Sequence, residues 1–258
     1  MQQIKIAFFD IDGTLVKLHA GEMTPPTRQA LAALRQNGVR VCLATGRSPL
    51  TLPPFPSVTF DAYLTFNGSY CYDAQQVLFS NPIPQADVRR LVENAAAIGR
   101  PVSLATKDRL AANGSDADLA DYFRIAGREV EVADDFDCLL QQPVYQLMMG
   151  CREPEYAAVL QGVRHAKIAA WWDRAVDIIP ADGGKGVAIE KLLAHYGLDR
   201  AQAIAFGDGN NDIEMLQAVG TGVAMANASA QLKAVADDVC GDVAEDGIYH
   251  YCQAHGLI

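Results

Sequence analysis

Ile4-Lys5-Ile6-Ala7-Phe8-Phe9-Asp10-Ile11-Asp12-Gly13-Thr14 decides the fold. Its first half is a short apolar run that stops abruptly at polar turn residues, which predicts a buried parallel strand followed by a loop. Downstream, Thr24-Pro25-Pro26-Thr27 supplies a helix start, Ala30, Leu31, Leu34 and Val39 the apolar pattern, and Asn37-Gly38 the stop. Val39-Arg40-Val41-Cys42-Leu43-Ala44 reads as a second strand that ends at Thr45-Gly46-Arg47. Strand, helix and strand in this order make a βαβ unit.

The same grammar returns near the other end. Lys185 to Tyr196 has helical periodicity with Gly197 as its stop, and Ala203-Ile204-Ala205-Phe206 is a strand that runs into Gly207-Asp208-Gly209-Asn210-Asn211-Asp212. Ile213, Met215, Leu216 and Val219 predict a further helix, and Gly222-Val223-Ala224-Met225 another strand. The two ends therefore read as halves of one α/β fold, a doubly wound, Rossmann-like and mostly parallel sheet, with its ligand site at the carboxyl ends of the strands.

The middle behaves differently. Ser69 to Ser80 is expected to form a hairpin. Beyond it, helix-like stretches (Ala86 to Ile98, Tyr156 to Arg164) alternate with strand-like ones (Val102 to Thr106, Tyr145 to Gly150, Ile168 to Ile179 with a turn near Asp173-Arg174). Pro82 and Pro84 mark one edge of this region, Pro180 and Gly183-Gly184 the other. The expected organisation is a discontinuous core, residues 1–81 and 184–258, with an α+β domain inserted at 82–183.

Half of the 258 residues are hydrophobic and 20% are charged, enough to bury a sizeable core and inconsistent with a largely disordered chain. Lys and Arg total 21 against 31 Asp and Glu, a net charge of −10 that argues against nucleic acid or an anionic membrane as a partner. A phosphorylated ligand would be repelled too, so a phosphate site must bring its own cations. The six cysteines are scattered without Cys-x-x-Cys pairing, the pattern of buried thiols in a reducing compartment rather than of zinc or disulfides. The N-terminal stretch lacks a signal peptide's form and no apolar run approaches a membrane span, so a cytoplasmic location is expected.

The chemistry sits in four clusters. Asp10 and Asp12 lie two apart at a strand end, where extended alternation would aim both carboxylates at one site. One acid can then stay ionised as nucleophile and metal ligand while the other moves protons. Taken alone, the pair could equally be turn or N-cap aspartates. Asp208 and Asp212 bring the oxygen donors that suit Mg²⁺; a helix–loop–helix calcium site is disfavoured because the Glu such a loop needs is missing. Thr45-Gly46 offers a hydroxyl and an amide to a phosphate, though Thr-Gly turns are common. Lys185 opens a helix between two glycines, placing an ammonium beside the positive end of the helix dipole, in a stretch without phosphate-cradling P-loop spacing. His19, His165, His195, His250 and His255 lie in none of these clusters.

In combination and in this order the clusters resemble the haloacid-dehalogenase-like phosphatases. Asp10 to Thr14 is similar to their first motif, Thr45 to the second, Lys185 to the third and Gly207 to Asp212 to the fourth. Thr45-Gly46-Arg47, Asn67-Gly68 and the large insertion between the second and third motifs resemble the Cof-type branch, which acts on sugar phosphates and phosphorylated cofactors. The resemblance covers both core segments, and the inserted domain matches in place and size. It implies a phosphatase acting on a small phosphorylated metabolite, with Asp10 forming an aspartyl-phosphate and Asp12 acting as general acid and then base. It implies Mg²⁺ held by the side chains of Asp10 and Asp208 and the backbone carbonyl of Asp12, with Asp212 acting from behind or through water. Phosphoryl oxygens would be held by Thr45, the Gly46 and Ile11 amides, Lys185 and Asn211. Arg47 is a candidate substrate contact, and Trp171 and Trp172 are aromatic candidates of which one belongs to the core. The inserted domain is expected to act as a cap that reads the leaving group. A phosphomutase of the same superfamily and a catalytically silent phosphate-binding regulator stay as alternatives; a phosphoacceptor receiver domain would be shorter and lack the insertion. Neither substrate identity nor oligomeric state follows from the sequence.

Overall fold

The computed structural model describes residues 3–17, 22–56, 58–125, 127–170 and 172–258. The first strands are β1 (Ile6–Phe9), β2 (Arg40–Ala44), β3 (Ala62–Thr65), β4 (Tyr70–Tyr72) and β5 (Val77–Ser80). Next come β6 (Val102–Ala105), β7 (Leu110–Ala112), β8 (Gln146–Gly150), β9 (Ala166–Ala169) and β10 (Ala175–Pro180). The chain closes with β11 (Ala203–Gly207), β12 (Thr221–Ala224) and β13 (Asp238–Val239). Two compact units result, one of Met1–Thr45, Pro53–Phe79 and Lys185–Ile258, the other of Gly46–Leu52 and Ser80–Gly184.

In the first unit the described strands form one sheet in the order β13-β12-β11-β1-β2-β3-β4-β5. Strands β1, β2, β3, β11, β12 and β13 are parallel, and β4 returns antiparallel to β3. Both β1 and β11 are buried throughout, as parallel strands covered on both faces must be. They pair in register, Phe9 opposite Phe206, and the two rings stack at 5.1 Å. From β1 the chain winds to β2 and β3 on one side and later returns to β11 and β12 on the other, so the order reverses at the β1–β11 seam. Doubly wound sheets bind ligands outside the strand ends at this kind of seam.

The flanking helix Pro25–Gln36 starts where the sequence predicts: the Thr24 hydroxyl accepts from the Thr27 amide at 3.2 Å and two prolines open the first turn. It buries Ala30, Leu31 and Leu34. The helix Lys185–Tyr196 buries Ala188, Ile189, Leu192 and Leu193. Each such aliphatic side chain stabilises the fold by about 1.5–3 kcal/mol relative to exposure, Ala less.

The second unit holds an antiparallel sheet in the order β7-β6-β8-β10-β9. Alternation puts Val102, Leu104, Leu147, Met149, Val176 and Ile178 into a core with Val88, Leu91 and Ala95 of the helix Gln85–Ala97. Arg100 ties the loops together through Asp116 (3.2 Å), Asp118 (3.1 Å) and Glu155 (3.0 Å). Gly46–Leu52 groups here because Gln146 Nε2 donates to the Gly46 carbonyl at 3.2 Å and Arg128 Nη1 to the Leu50 carbonyl at 3.1 Å.

One predicted element is shorter than its periodicity. The helix expected at 156–164 runs only over Tyr156–Val159, after a 3-10 turn at Glu153–Glu155. Asn94 Nδ2 takes the Val159 and Gln161 carbonyls, each at 2.8 Å, and Gly162 turns away with φ 74°. Among the described residues no helix is long and apolar enough to cross a membrane.

Candidate active site

Strand β1 ends at Phe9, and the chain then coils rather than continuing extended. The Thr14, Leu15 and Val16 amides all turn back on the Ile11 carbonyl, at 3.3, 3.0 and 2.9 Å. Asp10 is buried and Asp12 only partly so.

Gly13 makes the coil possible. Its φ is +84°, and a Cβ there would lie 2.2 Å from Asp208 Oδ2. Thr14 Oγ1 donates to Asp208 Oδ1 at 2.9 Å, so the first and last loops are joined at this carboxylate. We expect Gly13→Ala to lose at least about 1 kcal/mol in urea denaturation and to weaken divalent-cation binding by displacing Asp208. Unchanged stability together with unchanged metal affinity would count against this close approach.

Lys185 is 1% exposed, and its Nζ donates to Asp10 Oδ1 at 2.7 Å and to Asp212 Oδ1 at 2.6 Å. The other Asp212 oxygen accepts the Asp208 and Gly209 amides at 3.0 Å each. Asp212 is thus engaged by three protein donors and holds both the lysine and its own loop in place. Asp10, Asp208 and Asp212 offer carboxylate oxygens within 4.8 Å of one another. Three acids against one ammonium leave two negative charges in a buried space, and the charge of Asp12 also bears on Asp10.

The titration of these groups follows from that imbalance. Burial, opposed by Lys185 and reinforced by Asp212 and Asp12, pushes the Asp10 carboxyl up to about 7. Burial, with repulsion from Asp10 and Asp212, pushes Asp208 up to about 8. Burial also works against the charge on Lys185, but Asp10 and Asp212 together hold its ammonium above the ordinary lysine range. A hard divalent cation fits this donor set, because its ligands would be oxygens alone and its two charges offset the two left over.

The phosphate-donor candidates fall into both units. Thr45 is buried at the end of β2; its amide donates to the Leu64 carbonyl at 2.8 Å and its carbonyl accepts from the Asn67 amide at 2.9 Å. Asn211 Nδ2 donates to Asn67 Oδ1 at 3.1 Å. Gly46 and Arg47 belong to the second unit, where Arg47 Nη1 donates to the Thr51 carbonyl at 2.8 Å. Trp172 lies in the bend between β9 and β10 with the Arg174 guanidinium 4.3 Å from its ring centroid, not in a strand as expected. Trp171 and His19 lie outside the described residues. The motifs that contain Thr14 and Asn67 assign neither of them a role; the only signals in the sequence are a hydroxyl in the first loop and an Asn-Gly turn.

A family model described as haloacid dehalogenase-like hydrolase matches residues 7–252. The chain belongs to this family. It is 32% identical to the putative phosphatase YkrA of Bacillus subtilis, over 98% of each chain. It is 28% identical to the pyridoxal phosphate phosphatase YbhA of Escherichia coli, over 97% of this chain and 98% of the other. Among solved structures it is similar to the sugar phosphatase BT4131 of HAD subclass IIB, at 28% identity and a TM-score of 0.89, over 98% of this chain and 100% of that one. A structure from a phosphoryl-transfer superfamily gives 27% identity and a TM-score of 0.92 over 99% of this chain and 100% of that one. The protein is a hydrolase of the haloacid dehalogenase-like family; YbhA and BT4131 are phosphatases and YkrA is a putative one.

Proposed function

We propose that the protein is a Mg²⁺-dependent phosphatase that releases inorganic phosphate from a small phosphorylated metabolite through an aspartyl-phosphate on Asp10. The observation that carries this reading is the buried Lys185 ammonium between Asp10 and Asp212, with Asp208 beside them. A carboxylate meeting a phosphate dianion faces like-charge repulsion, so it needs cations placed in advance. Lys185 supplies one of them.

In the proposed reaction Asp10 Oδ attacks phosphorus and the bond to the leaving oxygen breaks. Asp12 gives that oxygen its proton. The resulting Asp12 carboxylate then takes a proton from water as the water oxygen attacks the aspartyl-phosphate, which frees phosphate and restores Asp10. The partial exposure of Asp12 suits a group that exchanges protons with solvent, whereas buried Asp10 suits a nucleophile kept from it. Thr45, the Ile11 and Gly46 amides, Lys185 and Asn211 hold the phosphoryl oxygens, and Arg47 contacts the substrate. Asp10 and Asp208, with the Asp12 carbonyl and Asp212 through water, would hold Mg²⁺, which neutralises phosphoryl charge during transfer.

The substrate class rests on the relatives: a sugar phosphate or a phosphorylated cofactor such as pyridoxal phosphate. The test is phosphate release from a panel of such esters, without a bisphosphate activator. Release is expected with Mg²⁺, is expected to vanish with EDTA, and should return on adding Mg²⁺ back. Transfer to a sugar hydroxyl in place of release would make the protein a mutase, and turnover in EDTA would remove the metal from the account.

A further inference from the structure

Between β3 and β4 the backbone does something rare. Phe66 and Asn67 both have φ of 52°, and Gly68 follows at 89°, so three successive residues lie in the left-handed region. Glycine tolerates this and asparagine does so better than most, but a phenylalanine there is strained. Phe66 is fully buried, so packing holds the turn in place. The strain delivers Asn67, 2% exposed, to a position where its amide donates to the Thr45 carbonyl at 2.9 Å and its Oδ1 accepts from Asn211 Nδ2 at 3.1 Å.

We infer that Asn67 is a positioning residue that fixes the direction of the Asn211 side-chain amide. This inference rests on the phosphatase reading, in which Asn211 is a phosphoryl donor. An asparagine in a left-handed turn usually bonds to its own neighbourhood. Here the partner is 144 residues away. The opposite end of the Asn211 amide is located as well: its Oδ1 lies so close over Gly209 that a Cβ there would approach to 2.6 Å. With the carbonyl end over Gly209 and one N–H on Asn67, the second N–H of Asn211 has a single direction in which to donate. The carbonyl of Thr45, a second proposed donor, is held by the same residue. Loops after three different strands are thereby set from one side chain and one amide.

A turn-making role alone and a positioning role part company in Asn67→Gly. Glycine relieves the left-handed backbone and deletes the acceptor. The expected result is a thermal midpoint at or above wild type, with kcat for Mg²⁺-dependent phosphate release lowered about tenfold. Binding of inorganic phosphate to the Mg²⁺-loaded protein, read by calorimetry, should weaken in parallel. In an Asn211→Ala background the same change should add less than about a twofold effect on either readout, because the residue through which Asn67 acts is gone. Asn67→Asp keeps an acceptor and left-handed tolerance but adds negative charge, so it should retain the coupling to Asn211 while weakening phosphate binding. Turnover and phosphate affinity within twofold of wild type in Asn67→Gly, or losses that multiply in the double variant, would overturn the inference. Absence of phosphate release by the wild type would instead overturn the phosphatase reading, and the calorimetric arm would still decide whether Asn67 and Asn211 act as one unit.

Discussion

Asp10→Asn is expected to lower phosphate release by at least about three orders of magnitude while the protein stays folded. The amide has the shape of the carboxylate but cannot carry a transferable phosphoryl group. Loss of structure would not explain the result. Lys185 keeps its 2.6 Å bond to Asp212, and the substitution removes a charge that burial disfavours. In EDTA at pH 8 the variant should therefore be at least as stable as the wild type, because a neutral side chain replaces a carboxyl whose ionisation is pushed up to about 7. Phosphate release and urea denaturation on the same preparation check both halves. Near-normal turnover with metal bound would show that Asp10 is not the nucleophile.

The chemistry of the site was more legible than its wiring, for a physical reason. A parallel strand buried on both faces has to be a continuous apolar run, so Ile6–Phe9 and Ala203–Phe206 announced themselves, and the polar residues after each run marked the carboxyl edge of the sheet. That Asp10 and Asp208 leave neighbouring strands follows from the register of β1 with β11, which no local pattern states. The coil that Gly13 permits around the Ile11 carbonyl is likewise stated by no local pattern. Nor does any local pattern state that the oxygens of Asp212 accept from Lys185 and from the Asp208 and Gly209 amides.

Short elements were the least legible. The helix Tyr156–Val159 is shorter than its periodicity because its end is set by Asn94, a side chain 65 residues from Val159. The helix Gly247–Ala254, opened by Asp246 at φ 56°, carried too little periodicity to be named. The unit boundary behaved in the same way. Pro and Gly clusters mark where a chain can leave a domain, whereas the grouping of Gly46–Leu52 depends on Gln146 and Arg128 reaching its carbonyls.

Lys185→Met should separate the electrostatic from the packing role of the buried lysine, and its effect on stability should depend on pH. In the metal-free wild type Asp10 and Asp208 hold their protons up to about 7 and about 8, whereas the unfolded chain releases them near 3.8. Across that interval the folded state binds more protons, so these groups favour the fold most below about pH 4 and progressively less as pH rises. Lys185 limits the decline because it lowers both carboxyls. Without it they rise further, and each pH unit in which the variant keeps a proton that the wild type has released costs about 1.4 kcal/mol per carboxyl. At pH 5, with both carboxyls protonated in either protein, the loss should be smaller, leaving chiefly the broken contact of Lys185 with Asp212. At pH 9 without metal the variant should be weaker by about 3–5 kcal/mol, the range for removing one partner of a buried ion pair. Mg²⁺ should recover part of that loss by binding only the folded protein, while turnover stays lost because the ammonium beside Asp10 is gone. Urea denaturation at the two pH values, with and without Mg²⁺, reads all three effects. An equal loss at pH 5 and pH 9 would mean that the fold requires the lysine stem and its contact with Asp212, not the effect of its charge on Asp10 and Asp208.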